Sequence, residues 1–198
     1  MIGTRIGDFI VEAEIGSNAM GRLLRAHDVQ DAKQTAIKLL THPKAQSAEF
    51  ERHFLAQCDL LRRLQHPNIV RVHRGGVHDG SPYLVMDWVD GADFATLLRR
   101  GEKPAWPEAL AIVLQIVPAL RHAHRRSVLH RDLKPSNLFR RADGVFLLSD
   151  FGLTKYFGDA LLNHADDPLG SAAYLSPETA AGKPHPKRSD FFSLGCLL

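Results

Sequence analysis

Residues 130–137 read HRDLKPSN and residues 147–152 read LLSDFG. The octapeptide gathers a carboxylate (Asp132), an ammonium (Lys134) and an amide (Asn137), and Pro135 keeps the segment out of helix. Asp132 can accept a hydroxyl proton, and Lys134 can neutralise charge on a phosphoryl group in transfer. Asn137 and Asp150 offer hard oxygens suited to magnesium. Phosphoryl transfer needs these parts together. An isolated SDFG carries no weight, because an aspartate in a turn after a strand is common.

Two weaker signals lie upstream. IGSNAMGRL at 15–23 is a glycine-bearing turn whose backbone amides could approach a phosphate, with Asn18 where a second glycine would serve, as the residue next best at tolerating positive φ. Alone it is equally a plain hairpin turn. AIK at 36–38 puts Lys38 on an apolar strand, where it needs an anionic partner or lies on a sheet edge. Glycine turn, lysine, octapeptide and DFG in that order do not arise by coincidence.

The elements that must position these residues follow from hydrophobic period. DFIVEAEIG, RLLRAHD and QTAIKLL read as an antiparallel meander across 8–40. Residues 47–64 switch to helical spacing, with Phe50, Phe54, Leu61 and Leu64 on one face and Gln57 as its polar member. Strands are expected near 69–77 and 83–89, about the turn HDGSP. A long amphipathic helix opens at Pro107, with Leu110, Val113, Val117 and Leu120 as its buried side. Pro118 within it costs up to about 3 kcal/mol or bends it. Short strands are expected at LFR and VFLLSD, and a long loop from Gly152 to Glu178. The final helix, SDFFSLGCLL from 189, is expected to bury Phe191, Phe192, Leu194, Leu197 and Leu198 against a further segment or a partner.

Composition narrows the classes. The 198 residues are 44% apolar, enough for a core, and the net charge of +3 is scattered among acids, which gives no nucleic-acid footprint. Cys58 and Cys196 fit no metal spacing and read as core thiols in a reducing compartment. The longest apolar run, 109–120, is interrupted by Gln115 and Pro118 and is too short to span a bilayer, so a cytoplasmic chain without a membrane segment is expected.

With those residues in place, the chain resembles a eukaryotic-like Ser/Thr protein kinase of bacterial type, over about residues 9–198. The resemblance implies an α+β bilobal protein-kinase-like fold: a strand-rich N-lobe at 8–88 and a helical C-lobe at 89–198, truncated in the helix after the activation segment. It implies ATP and Mg2+ as cofactors and a protein substrate with a Ser/Thr acceptor. Ile15, Gly16, Ser17, Asn18 and Gly21 would cover the phosphates, and Lys38 would grip the α and β phosphates. Leu23 and Ala36 would sandwich the adenine against Phe139. Met86 falls at the gatekeeper, with the backbone of Asp87 and Val89 binding the adenine edge. Asp132 would be the catalytic base, aided by Lys134, with Asn137 and Asp150 holding magnesium. Asp190 matches the aspartate that braces the catalytic loop, and Glu178 one that pairs with an arginine beyond residue 198.

Lys134 together with GSAAYLSPE, where Ser171 replaces the usual threonine, fits the Ser/Thr pattern. Three features depart from the family. Gln57 stands where a glutamate would pair with Lys38; it can accept a hydrogen bond but brings no charge. The only hydroxyls between Leu153 and Gly170 are Thr154 and Tyr156, so Asp166 and Asp167 either supply Arg131 with negative charge in place of a phosphate or form a solvated acidic loop. The ending in mid-helix is the third. A non-catalytic nucleotide-binding scaffold is therefore the alternative reading, and a small-molecule phosphotransferase a more distant one.

Overall fold

The computed structural model describes residues 1–18, 20–152 and 171–197, which divide into two compact units. The first comprises residues 1–65 and 71–88, the second 66–70 and 89–198.

The first unit is a six-stranded antiparallel sheet. Its strands are β1 (Arg5–Ile6), β2 (Phe9–Asn18), β3 (Gly21–Asp28), β4 (Gln34–Leu40), β5 (Val72–His78) and β6 (Ser81–Asp87), ordered β1-β2-β3-β4-β6-β5. Side chains alternate between the faces of a strand, so Ile37 and Leu39 of β4 share a core with Leu24, Ala26, Tyr83 and Val85. Gly21 has no alternative in this sheet: a Cβ there would lie 2.0 Å from the carbonyl oxygen of Leu39.

Helix α1 (Ala48–Arg62) packs on β5. Ser47 caps it, its Oγ accepting from Phe50 N at 3.1 Å, a contact worth about 1 kcal/mol. All four apolar residues of the expected stripe are buried, and Gln57 is half-buried beside them.

The cysteines part company. Cys58 is buried where α1 meets Gly75, and burial, with a smaller contribution from Asp59, pushes its thiol pKa up to about 12. Cys196 is exposed, contrary to the expectation of a second core thiol: it lies away from the helix face that Leu194 and Leu197 bury. Since the thiolate is the nucleophile, iodoacetamide at pH 8 is expected to modify Cys196 and spare Cys58 until denaturant is added, as peptide mass mapping would show. Equal modification of both in the native protein would contradict this burial.

In the second unit β7 (Gly91–Asp93), β8 (Leu138–Arg141) and β9 (Phe146–Leu148) form a small sheet. The unit also holds α2 (Phe94–Arg99), α3 (Trp106–Arg125), α4 (Pro177–Ala180) and α5 (Lys187–Leu197); α2 and α3 pack against the sheet, and α5 against α3. Strand β7 and helix α2 were not anticipated. Asp93 starts α2, Oδ1 accepting from Thr96 N at 2.9 Å and Oδ2 from the Thr96 hydroxyl at 2.6 Å.

Of the four residues expected on the inner face of α3 only Leu120 is fully buried, and the buried arc is displaced from the rest. Ala109, Ile112, Ile116, Ala119, Leu120 and Ala123 are buried, whereas Leu110 is 45% exposed and Val113 and Val117 are intermediate. Small alanines let the neighbouring elements approach, which an emphasis on large side chains overlooked. Pro118 is tolerated because it lies on the exposed side, where water can reach the Leu114 carbonyl it leaves without a donor. In α5 Leu194 and Leu197 are buried, whereas Phe191 and Phe192 are 40% and 43% exposed, which leaves open apolar surface of the kind expected to need a further segment or a partner; Leu198 lies outside the described residues.

Residues 66–70 join this second unit although α1 precedes them and β5 follows. Asn68 Nδ2 donates to Gln115 Oε1 (3.2 Å) and to Phe146 O (2.8 Å), Leu148 N donates to Asn68 O, and Val70 N donates to Leu148 O.

Candidate catalytic loop and its supports

The octapeptide runs irregularly through a 3-10 turn at Pro135–Asn137. Asp132 Oδ2 is 3.0 Å from Lys134 Nζ and accepts from Asn137 Nδ2 at 3.1 Å. The same Asn137 amide donates to Asp132 O at 2.7 Å, so its nitrogen is spent within the loop and Oδ1 is the atom it can offer a cation. The β8–β9 register, Leu138 opposite Leu148, brings the residue before β8 next to those after β9. Ser149 N accordingly donates to Asn137 O at 3.0 Å, which sets Asn137 beside the start of the DFG. Asp150 adopts φ 60°, a left-handed conformation that costs a non-glycine residue energy and marks a constrained position.

Beneath the loop lies a buried carboxylate. Asp190 is wholly buried, and its two oxygens divide four donors. Oδ2 accepts from His130 N (2.9 Å) and contacts His124 Nε2 (2.7 Å); Oδ1 accepts from Arg131 N (2.9 Å) and contacts His185 Nε2 (2.9 Å). Burial works to raise its pKa, but the hydrogen bonds from His124 and His185 outweigh it and hold the group well below the usual carboxylate range. Arg131, gripped this way, has φ 69°. His130 is wholly buried against Phe151, ring centroids 4.6 Å apart, and burial lowers its pKa. Gly152 N donates to His130 O at 3.1 Å, tying the DFG back to the loop.

The second unit thus brings Asp132, Lys134, Asn137 and Asp150 into one neighbourhood, and also carries Phe139, half-buried on β8, and Val89. The first unit carries the other nominated residues. Strand register aligns Leu23 with Lys38 and Lys38 with Leu84, and Ala36 with Met86. Leu23, Ala36, Lys38 and Met86 therefore share the sheet face opposite Ile37 and Leu24. Ile15, Gly16, Ser17 and Asn18 end β2 in the turn before Gly21. Asn18 contributes its side chain there, Oδ1 accepting from Met20 N (2.9 Å) and Gly21 N (3.2 Å). Asp87 N donates to Arg71 O, so Asp87 can offer an adenine edge only its carbonyl. Its side chain binds His73 Nε2 at 2.8 Å and Lys33 Nζ at 3.3 Å.

Thr154, Tyr156, Asp166 and Asp167 lie outside the described residues, as does the side chain of Ser171. Glu178 accepts from Ser189 Oγ at 2.8 Å and lies 3.4 Å from Arg188 Nε. Sequence reasoning missed His124 and His185. The only available signal was a histidine six positions before His130 and another five before Asp190, neither suggestive by itself.

Comparison with known proteins adds independent findings. The family model described as a protein kinase domain matches residues 9–198. The serine/threonine-protein kinase PrkC of Bacillus subtilis is 35% identical over 199 aligned residues, covering 100% of this chain and 31% of that protein. PknJ of Mycobacterium tuberculosis, also a serine/threonine-protein kinase, is 34% identical over 99% of this chain and 34% of its own length. The chain spans about a third of the length of these curated relatives. The crystal structure of the M. tuberculosis PknI kinase domain superposes with a TM-score of 0.77 at 31% identity, over 98% of this chain and 72% of that one.

Proposed function

The chain belongs to the protein kinase domain family, and from that premise we propose that it transfers the γ-phosphoryl group of ATP to serine or threonine hydroxyls of protein substrates. The observation that carries this reading is the Asp132–Lys134–Asn137 cluster, assembled within hydrogen-bonding distance and braced from below by Asp190.

In this reading the substrate oxygen bonds to phosphorus as the bond to the leaving ADP oxygen breaks, and the hydroxyl proton passes to Asp132. Lys134, beside that carboxylate, supplies positive charge for the transferred group. Asn137 Oδ1 and the Asp150 carboxylate would hold Mg2+, which when bound offsets the charge of the phosphates. The donor set fits that ion: two hard oxygens from the protein, the rest left to phosphate and water, and no cluster of three or more His, Cys, Asp or Glu able to cage a metal among the described residues. Lys38 would bind the α and β phosphates and the turn at Ile15–Gly21 would cover them. Leu23, Ala36, Met86 and Phe139 would contact the adenine, with the Asp87 carbonyl and Val89 backbone on its edge. Gln57, lacking the charge of a glutamate, would give Lys38 a weaker anchor.

No helix among the described residues is long and apolar enough to cross a membrane. Incubation of the protein with γ-labelled ATP, Mg2+ and a generic protein substrate is expected to yield phosphoserine or phosphothreonine, and excess EDTA to abolish the label. ATP binding without transfer at any Mg2+ concentration would instead establish the non-catalytic alternative.

A further inference from the structure

Behind the brace, a chain of side-chain hydrogen bonds runs from Asp190 to Glu178 through His185, Thr179, Ser176 and Ser189. The successive contacts are His185 Nε2 to Asp190 Oδ1 (2.9 Å), His185 Nδ1 to Thr179 Oγ1 (3.2 Å), Thr179 Oγ1 to Ser176 Oγ (2.9 Å), Ser176 Oγ to Ser189 Oγ (2.8 Å) and Ser189 Oγ to Glu178 Oε1 (2.8 Å). Ser176 and Ser189 are buried and the His185 side chain is 8% exposed, so water is largely kept from supplying other partners.

Each hydroxyl has one proton, which fixes the direction of the chain. Glu178, its pKa lowered chiefly by a backbone hydrogen bond and then by Ser189, is an acceptor, so the Ser189 proton points at it. Ser176 must then donate to Ser189, and Thr179 to Ser176. The Thr179 proton is thereby spent, and its contact with His185 is a hydrogen bond only if Nδ1 carries a proton. At the other ring nitrogen, Asp190 Oδ1 is an ionised acceptor already taking Arg131 N–H, so Nε2 is protonated as well.

We propose that His185 is an imidazolium and serves as a positioning residue, joining the segment 176–179 to the carboxylate that holds the catalytic-loop backbone. The titratable groups around it are Asp190 on α5, which also takes His124 Nε2 of α3 and the backbone N–H of His130, and Glu178, with Arg188, at the other end of the relay. A neutral ring would leave one contact without a proton, setting two lone pairs against each other in a buried place. The charged ring gives Asp190 an orientation independent of His124. Its kinetic consequence rests on the proposed phosphotransfer, whereas the ring's protonation does not.

The test uses the full-length protein labelled with 15N, reading the His185 ring nitrogens by long-range proton–nitrogen correlation at pH 7. Both nitrogens are expected to be protonated. Thr179→Val removes the acceptor for Nδ1 and keeps the side-chain shape; it is expected to return the ring to the neutral form protonated at Nε2 only. In the same variant kcat should fall about tenfold, the loss of one charge-assisted hydrogen bond, with KM for ATP unchanged. Thr179→Ser should restore both readouts. A neutral His185 ring in the unmodified protein, or a ring spectrum unmoved by Thr179→Val, overturns the proposal. If no variant transfers phosphate, the ring spectra alone decide.

Discussion

Asp132→Asn is expected to lower kcat for phosphate transfer by about 10²- to 10⁴-fold, the range of a positioned general base and equivalent to about 3–5 kcal/mol of barrier. The substitution keeps the shape of the side chain and removes its capacity to take the hydroxyl proton. Lys134 Nζ and Asn137 Nδ2, at 3.0 and 3.1 Å from Oδ2, would each still find an oxygen if the amide turns its Oδ1 towards them. The fold and the KM for ATP are therefore expected to survive. Initial rates under saturating ATP, with circular dichroism as a control for folding, measure this directly. A variant retaining more than about a tenth of the activity would remove Asp132 from the role of base.

Asp190→Asn acts on stability as much as on rate. Its carboxylate faces four donors, two backbone N–H groups and two imidazole nitrogens, and an amide can accept on only one of its two atoms. The nitrogen would face two N–H groups with nothing to accept them. Breaking a buried charged network from one side costs about 3–5 kcal/mol, a large share of the roughly 5–15 kcal/mol by which a domain is stable. The melting temperature should drop by about 10 °C or more, and activity should fall even where the protein remains folded. For the unmodified protein the pH dependence follows from the lowered pKa. The contribution of Asp190 is fully present above the unfolded carboxylate value of about 4 and is lost as pH falls through the native one. Equal urea midpoints for variant and parent at pH 7 would show that the four donors do not depend on this carboxylate.

Much of this architecture was legible because period and position agree. QTAIKLL reads as a short apolar strand bounded by polar turns, and its register puts Ala36 and Lys38 on the face opposite Ile37 and Leu39. Phe50, Phe54 and Leu61 mark α1, while Leu64, read as part of the same stripe, is buried just beyond its end. Helix α3 was read correctly as an element but with its inner side displaced, because it is apolar on more than one arc and the alanines at 109, 119 and 123 fill the tight contacts. Helix α2 has only six residues, too few for a period to emerge. Among the site residues, types and order exposed Asp132, Lys134, Asn137 and Asp150. Their supports were hidden: His124 reaches Asp190 across 66 positions, and no local pattern announces that Arg131 and Asp150 take positive φ.

The course of the chain through residues 66–70 bears on how the protein can be divided and how it can mature. Because Asn68 is stitched to Gln115 and Phe146 before the backbone returns to β5, no single cut separates two self-sufficient halves. On the ribosome, the pentapeptide emerges long before the partners it pairs with, and must wait for some eighty further residues, Phe146 and Leu148 among them. Its backbone hydrogen bonds are therefore late acquisitions, closed only once distant sequence has been made, and the strand-rich unit must take shape around a stretch committed elsewhere.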